Sequence, residues 1–85
     1  MKYLITYDLN KPGQDYRSLF DSIKSLGVWN HALQNTWFVD TPYNATQVRD
    51  TLKRVVDGSD KIFVTMIENW ASYNMSEQAN WLNNR

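Results

Sequence analysis

An α+β fold, a four-stranded antiparallel sheet with two helices on one face, is predicted by three features of the sequence. Residues 3–9 (Tyr-Leu-Ile-Thr-Tyr-Asp-Leu) are β-branched and aromatic, as strands are. Two stretches, 15–26 and 44–56, place apolar residues at helical spacing. Between and after them lie further strand-like runs, 28–40 and 61–67. The predicted order is β-α-β-β-α-β plus a tail, the ferredoxin-like split-βαβ pattern.

The first strand carries apolar groups on both faces. Tyr3, Ile5 and Tyr7 share one side; Leu4, Thr6 and Asp8 share the other. A strand covered on both sides is expected at the sheet centre. Asn10-Lys11-Pro12-Gly13 ends it as a loop. In the first helix Tyr16, Leu19, Phe20, Ile23 and Leu26 form the buried stripe, with Gly27 as its stop. Val28 to Thr41 is too long for one ordinary strand. It reads as a hairpin of 28–33 and 36–40, turning at Gln34-Asn35 and ended by Pro42.

The second helix starts at Asn44, an N-cap with Gln47 three residues on, as in a capping box. Its stripe is Ala45, Val48, Leu52, Val55 and Val56, and Gly58 fits its stop. Lys61 to Ile67 is apolar on both faces, so it too is expected to be central. In the tail, Trp70 and Tyr73 are read as a short edge strand, and 74–83 as a short helix carrying Trp81 and Leu82.

Length and composition bound the function. Residues 1–85 form a single domain, too short for a second core. A domain this small buries only about 60–65% of its unfolded surface, so dimerisation would add needed burial. There is no cysteine, which excludes disulfides and thiolate metal sites. No run approaches the ~18–20 apolar residues of a membrane span, and Asp8 and Asn10 come too early for a signal peptide. A cytoplasmic protein with no membrane partner is expected. Nine basic and nine acidic residues cancel, against simple non-specific nucleic-acid binding. Four Trp, five Tyr and three Phe exceed what so small a core needs, so some are expected at an interface. Two helices cover only one face of such a sheet, and a second copy of the same sheet is the simplest cover for the other.

The strand ending in Tyr7-Asp8, and the hairpin of form aromatic-x-x-x-Leu-x-x-x-Trp-Phe-Val (Trp29, Leu33, Trp37, Phe38, Val39), resemble the small CRISPR-associated integration-complex protein of the "Cas two" type. They are closer still to its SinR-like relatives, and the resemblance covers residues 1–70. It implies a ferredoxin-like fold, a homodimer built by packing two sheets, and a role with nucleic acid. It also implies that Asp8, with its dimer mate, can hold a divalent metal, Mg²⁺ or Mn²⁺, in members that are metal-dependent nucleases. The family's arginine-rich start of helix 1 is replaced here by Asn-Lys-Pro-Gly-Gln-Asp-Tyr-Arg (residues 10–17), which argues against duplex binding.

The residues support a short candidate set. Asp8 closes a central strand, and Mg²⁺ is commonly held by one or two carboxylates plus waters; a strand-end carboxylate also serves to cap a loop. Asn10, Lys11, Arg17 and Asn35 are loop and helix-start groups suited to a nucleotide or phosphate, and equally to turn chemistry. Lys24, Lys53, Arg54 and Lys61 are dispersed among acids, as on solvated helix faces. His31, the only histidine, lies in phase with Trp29 and Leu33 and reads as structural. Trp29 and Trp37 read as packing residues; Trp70, Tyr73 and Trp81 read as dimer-interface residues. Three functions follow: a nucleic-acid-acting homodimer, catalytic through Asp8 if an enzyme; a non-enzymatic dimer binding a small nucleotide or protein; or a ribonuclease-toxin-like component, on fold analogy alone.

Overall fold

The computed structural model describes residues 1–10 and 16–85. Its elements are β1 (Lys2–Asp8), α1 (Arg17–Ser25), β2 (Val28–Leu33), β3 (Thr36–Asp40), α2 (Ala45–Lys53), β4 (Lys61–Met66) and α3 (Ser76–Asn83). The strands form one antiparallel sheet in the order β2-β3-β1-β4. This is a compact α+β domain, and none of its described helices is long and apolar enough to cross a membrane.

Alternation along β1 divides the core in two. Tyr3, Ile5 and Tyr7 point toward α1 and α2, where they pack with Leu19, Ile23, Trp37, Val39, Val48 and Leu52. Leu4 points the other way, into a smaller cluster of Ala32, Phe38 and Leu82 flanked by Ile67, Met75 and Trp81. The second face is therefore partly covered by the chain's own α3, which supplies some of the burial expected from a second copy. Leu82 anchors the helix, and the Gln78 side chain donates to the Ala32 carbonyl at 3.1 Å.

The hairpin falls where the sequence places it, with Gln34-Asn35 in the turn. The Asn44–Gln47 capping box also forms: Gln47 N donates to Asn44 Oδ1 at 2.8 Å and Asn44 N donates to Gln47 Oε1 at 2.9 Å. Gly27 has a steric reason to be glycine. A Cβ there would collide with the Asp40 carbonyl oxygen, because the α1–β2 link crosses close to the end of β3.

Four expectations are corrected. β4 is an edge strand, pairing only with β1, although its sequence is apolar on both sides. No strand forms at Trp70 or Tyr73; the tail runs irregularly into α3. α2 ends at Lys53, well before Gly58, so Val55, Val56 and Gly58 lie in the turn that follows. The register shift in β2 between Asn30 and Leu33 breaks the alternation, so Leu33 does not stay in phase with Trp29 and His31. Trp29 and His31 lie against Trp37, whereas Leu33 lines a cavity beneath α3. The start of the first helix, including Asp15, lies outside the described residues.

Candidate functional site

Asp8 is the last residue of β1, exposed, on the sheet face opposite α1 and α2. Strand pairing puts Lys61 across from it. The two form no ion pair, and among the described residues Asp8 has no hydrogen-bond or salt-bridge partner. Asn10, two residues on, is held from the β4 side: its N donates to Asp60 Oδ1 at 2.9 Å, and its side-chain amide donates to the Ser59 carbonyl. The Asp60 carboxylate is engaged several times over, accepting also from Asp57 N at 2.8 Å and from the Tyr16 hydroxyl at 3.3 Å.

Several of the predicted site residues meet at this end of the sheet. Asn35, in the hairpin turn, accepts through its carbonyl from Tyr7 N at 3.3 Å and from the Thr6 hydroxyl at 3.1 Å, which places the turn beside the end of β1. The Tyr16–Asp60 bond brings the start of α1, and so Arg17, to the same end. Asn10 and Asn35 are both committed to loop and turn bonds through the atoms named. Lys11 lies outside the described residues.

The interface candidates divide. Trp81 is half-buried within its own chain, with its ring 6.4 Å from that of Phe38 and the Arg85 guanidinium 5.3 Å above it. Trp70 and Tyr73 are exposed, Tyr73 at 87%. His31 is exposed but stacked flat on Trp37, with ring centroids 3.9 Å apart and an 11° tilt, and it bonds the Gln34 carbonyl at 3.1 Å. Trp37 is buried and donates its indole N–H to the Tyr7 hydroxyl at 3.0 Å. Burial pushes the Tyr7 phenol above its ordinary value, and the Trp37 bond partly offsets that.

Sequence reasoning missed Phe63. It is 63% exposed, pairs with Thr6 on β1, and shares a shallow depression with Thr6, Asp8 and Lys61. The signal was present as a strand apolar on both faces, read as buried centre when it is an uncovered edge. Among the described residues no three His, Asp or Glu side chains come together as a metal site. No family model matches the chain.

Proposed function

We propose that the protein is a homodimer of ferredoxin-like type that acts on nucleic acid, as a metal-dependent phosphodiesterase with Asp8 from each copy at its centre. The β2-β3-β1-β4 order of antiparallel strands supports the fold assignment. The observation that carries the functional reading is the placement of Asp8 next to Phe63. A carboxylate without a partner among the described residues and a large uncovered apolar ring lie two register steps apart, at neighbouring positions of the same half-open face. A second copy that covered Phe63 about a two-fold axis running along the strands would bring its own Asp8 to the same end of the joint interface.

The chemistry fits that arrangement. Two carboxylates plus waters are a common donor set for Mg²⁺ or Mn²⁺. Such an ion, when bound, supplies an activated water and neutralises charge on a phosphodiester. Asp8 would hold it; Lys61, exposed across the strand pair, would meet a phosphate; Arg17, at the start of α1 on the same end, would add a second cationic contact. The test is cleavage of labelled single-stranded RNA and double-stranded DNA with Mg²⁺ or Mn²⁺. Wild-type cleavage that falls at least 100-fold in Asp8→Ala is the expected result, the scale on which a metal-positioning group contributes. Equal activity in the two proteins, or none in either, removes the enzyme reading.

A non-enzymatic reading is favoured by the exposed Phe63, Trp70 and Tyr73 together with zero net charge. Such a dimer would recognise a small nucleotide or a protein. Thermal stabilisation by a nucleotide with no cleavage of any substrate would select it.

A further inference from the structure

Beneath α3 lies a half-open cavity of about 190 Å³ that shares no lining residue with the depression at Asp8. Its floor is Leu4 and Phe38 from β1 and β3. Its walls and roof come from Ile67, Trp70 and Leu82 of the tail and α3. Among the described residues no charged side chain lines it. Apolar cavities of ~150 Å³ already take up benzene, so this space is large enough for a ring system.

We propose that this cavity is a binding site for a small neutral aromatic molecule carrying one N–H or O–H donor, of the size of indole or phenol. Neutrality follows from the lining, which would strand a phosphate or carboxylate without a counter-charge. Ring size follows from the volume and from the flanking Phe38 and Trp70 side chains. The donor requirement follows from Gln78. Its amide nitrogen donates one N–H to the Ala32 carbonyl at 3.1 Å, which orders the amide of this lining residue; its carbonyl oxygen, with no partner among the described residues, would accept from the ligand. The ligand would sit between the sheet and α3, so its binding would hold the tail down on the domain.

The test is a heteronuclear NMR titration of the full chain with indole, N-methylindole and adenosine monophosphate. Indole is expected to shift amides of residues 67–82 and those of Leu4 and Phe38, saturating at about 0.1–1 mM. N-methylindole, which has no donor, should bind several-fold more weakly, and the charged nucleotide should not perturb these amides. Ala79→Phe fills the cavity from α3 and should weaken indole at least tenfold. Leu33→Trp fills it from the exposed rim and serves where the first variant does not fold. Asp8→Ala should leave indole binding unchanged, which separates this site from the proposed phosphodiesterase. No saturable shifts, shifts elsewhere, or unchanged binding in a folded filled variant would overturn the site. Equal binding of the two indoles would overturn the role of the Gln78 carbonyl.

Discussion

The indole N–H of Trp37 reaches the Tyr7 hydroxyl at 3.0 Å across the β1–β3 pair, inside the main core. Both rings are buried, so neither group can turn to water instead. Tyr7→Phe leaves the Trp37 donor unsatisfied and should cost about 1–3 kcal/mol. In a domain of this length each kcal/mol lowers Tm by about 4–8 °C, which a melting curve resolves.

The same pair fixes an alkaline limb of stability. Burial raises the Tyr7 phenol above 10.0, against the smaller lowering by Trp37. The folded chain then keeps a proton that the unfolded chain releases. The stability is fully present below the unfolded value and is lost as pH rises through the raised one. Denaturation followed from pH 8 to 11 should show a fall beginning near pH 10, and Tyr7→Phe should flatten part of it.

Asp40 ties both ends of the chain to the sheet. Its carboxylate accepts from the amino terminus at 3.3 Å and from Arg85 Nε at 3.2 Å. Burial works to raise this carboxyl, but Arg85 and the terminal ammonium outweigh it and hold it below 3.8. This contribution is present above the unfolded value and lost as pH falls through the lowered one. The groups are partly exposed, so Asp40→Asn should cost no more than about 1 kcal/mol globally. The local effect should be clearer, with faster amide exchange in α3 while the exchange of β1 is unchanged.

Gly27 and Gly58 should respond in opposite directions to alanine. At Gly27 the new Cβ meets the Asp40 backbone carbonyl, which cannot move without shifting the end of β3. A loss of about 1–3 kcal/mol is expected. At Gly58 nothing lies within reach, so the change should be neutral or stabilising by about 0.4–1 kcal/mol. Urea melts of the two single variants check both signs.

Where local chemistry decides, the sequence is a good guide to this fold. The Asn44–Gln47 box and the two-residue hairpin turn are both fixed by residues close together in the chain, and both form as expected. What escaped is set by long-range placement. Ile62 and Val64 face the main core while Phe63 faces outward on the same strand, and nothing in that alternation says whether β4 has a second neighbour. The β2 register shift, which sends Leu33 away from His31, likewise carries no local signature. The intrachain contact of Trp81 is likewise long-range: Leu82 beside it docks into the second cluster, and Trp81 packs at that cluster's edge. Asp8 was found from its position at a strand end, but that Asp60 rather than Asp8 holds Asn10 is set by the β1–β4 pairing, which brings residues fifty apart in the chain together.

The central claim is that a second copy covers the half-open face around Phe63 and so joins two Asp8 carboxylates. Sedimentation equilibrium of the wild type and of Phe63→Arg tests it most directly. The exposed ring contributes no core packing of its own, so the variant should fold as the wild type does, by circular dichroism. The expected result is a wild-type mass twice the 10.0 kDa of the chain at micromolar concentration, and a single-chain mass for Phe63→Arg. A wild type that sediments as a single chain at about 100 μM, well above the micromolar range of weak specific association, or a Phe63→Arg variant that still dimerises, would contradict it.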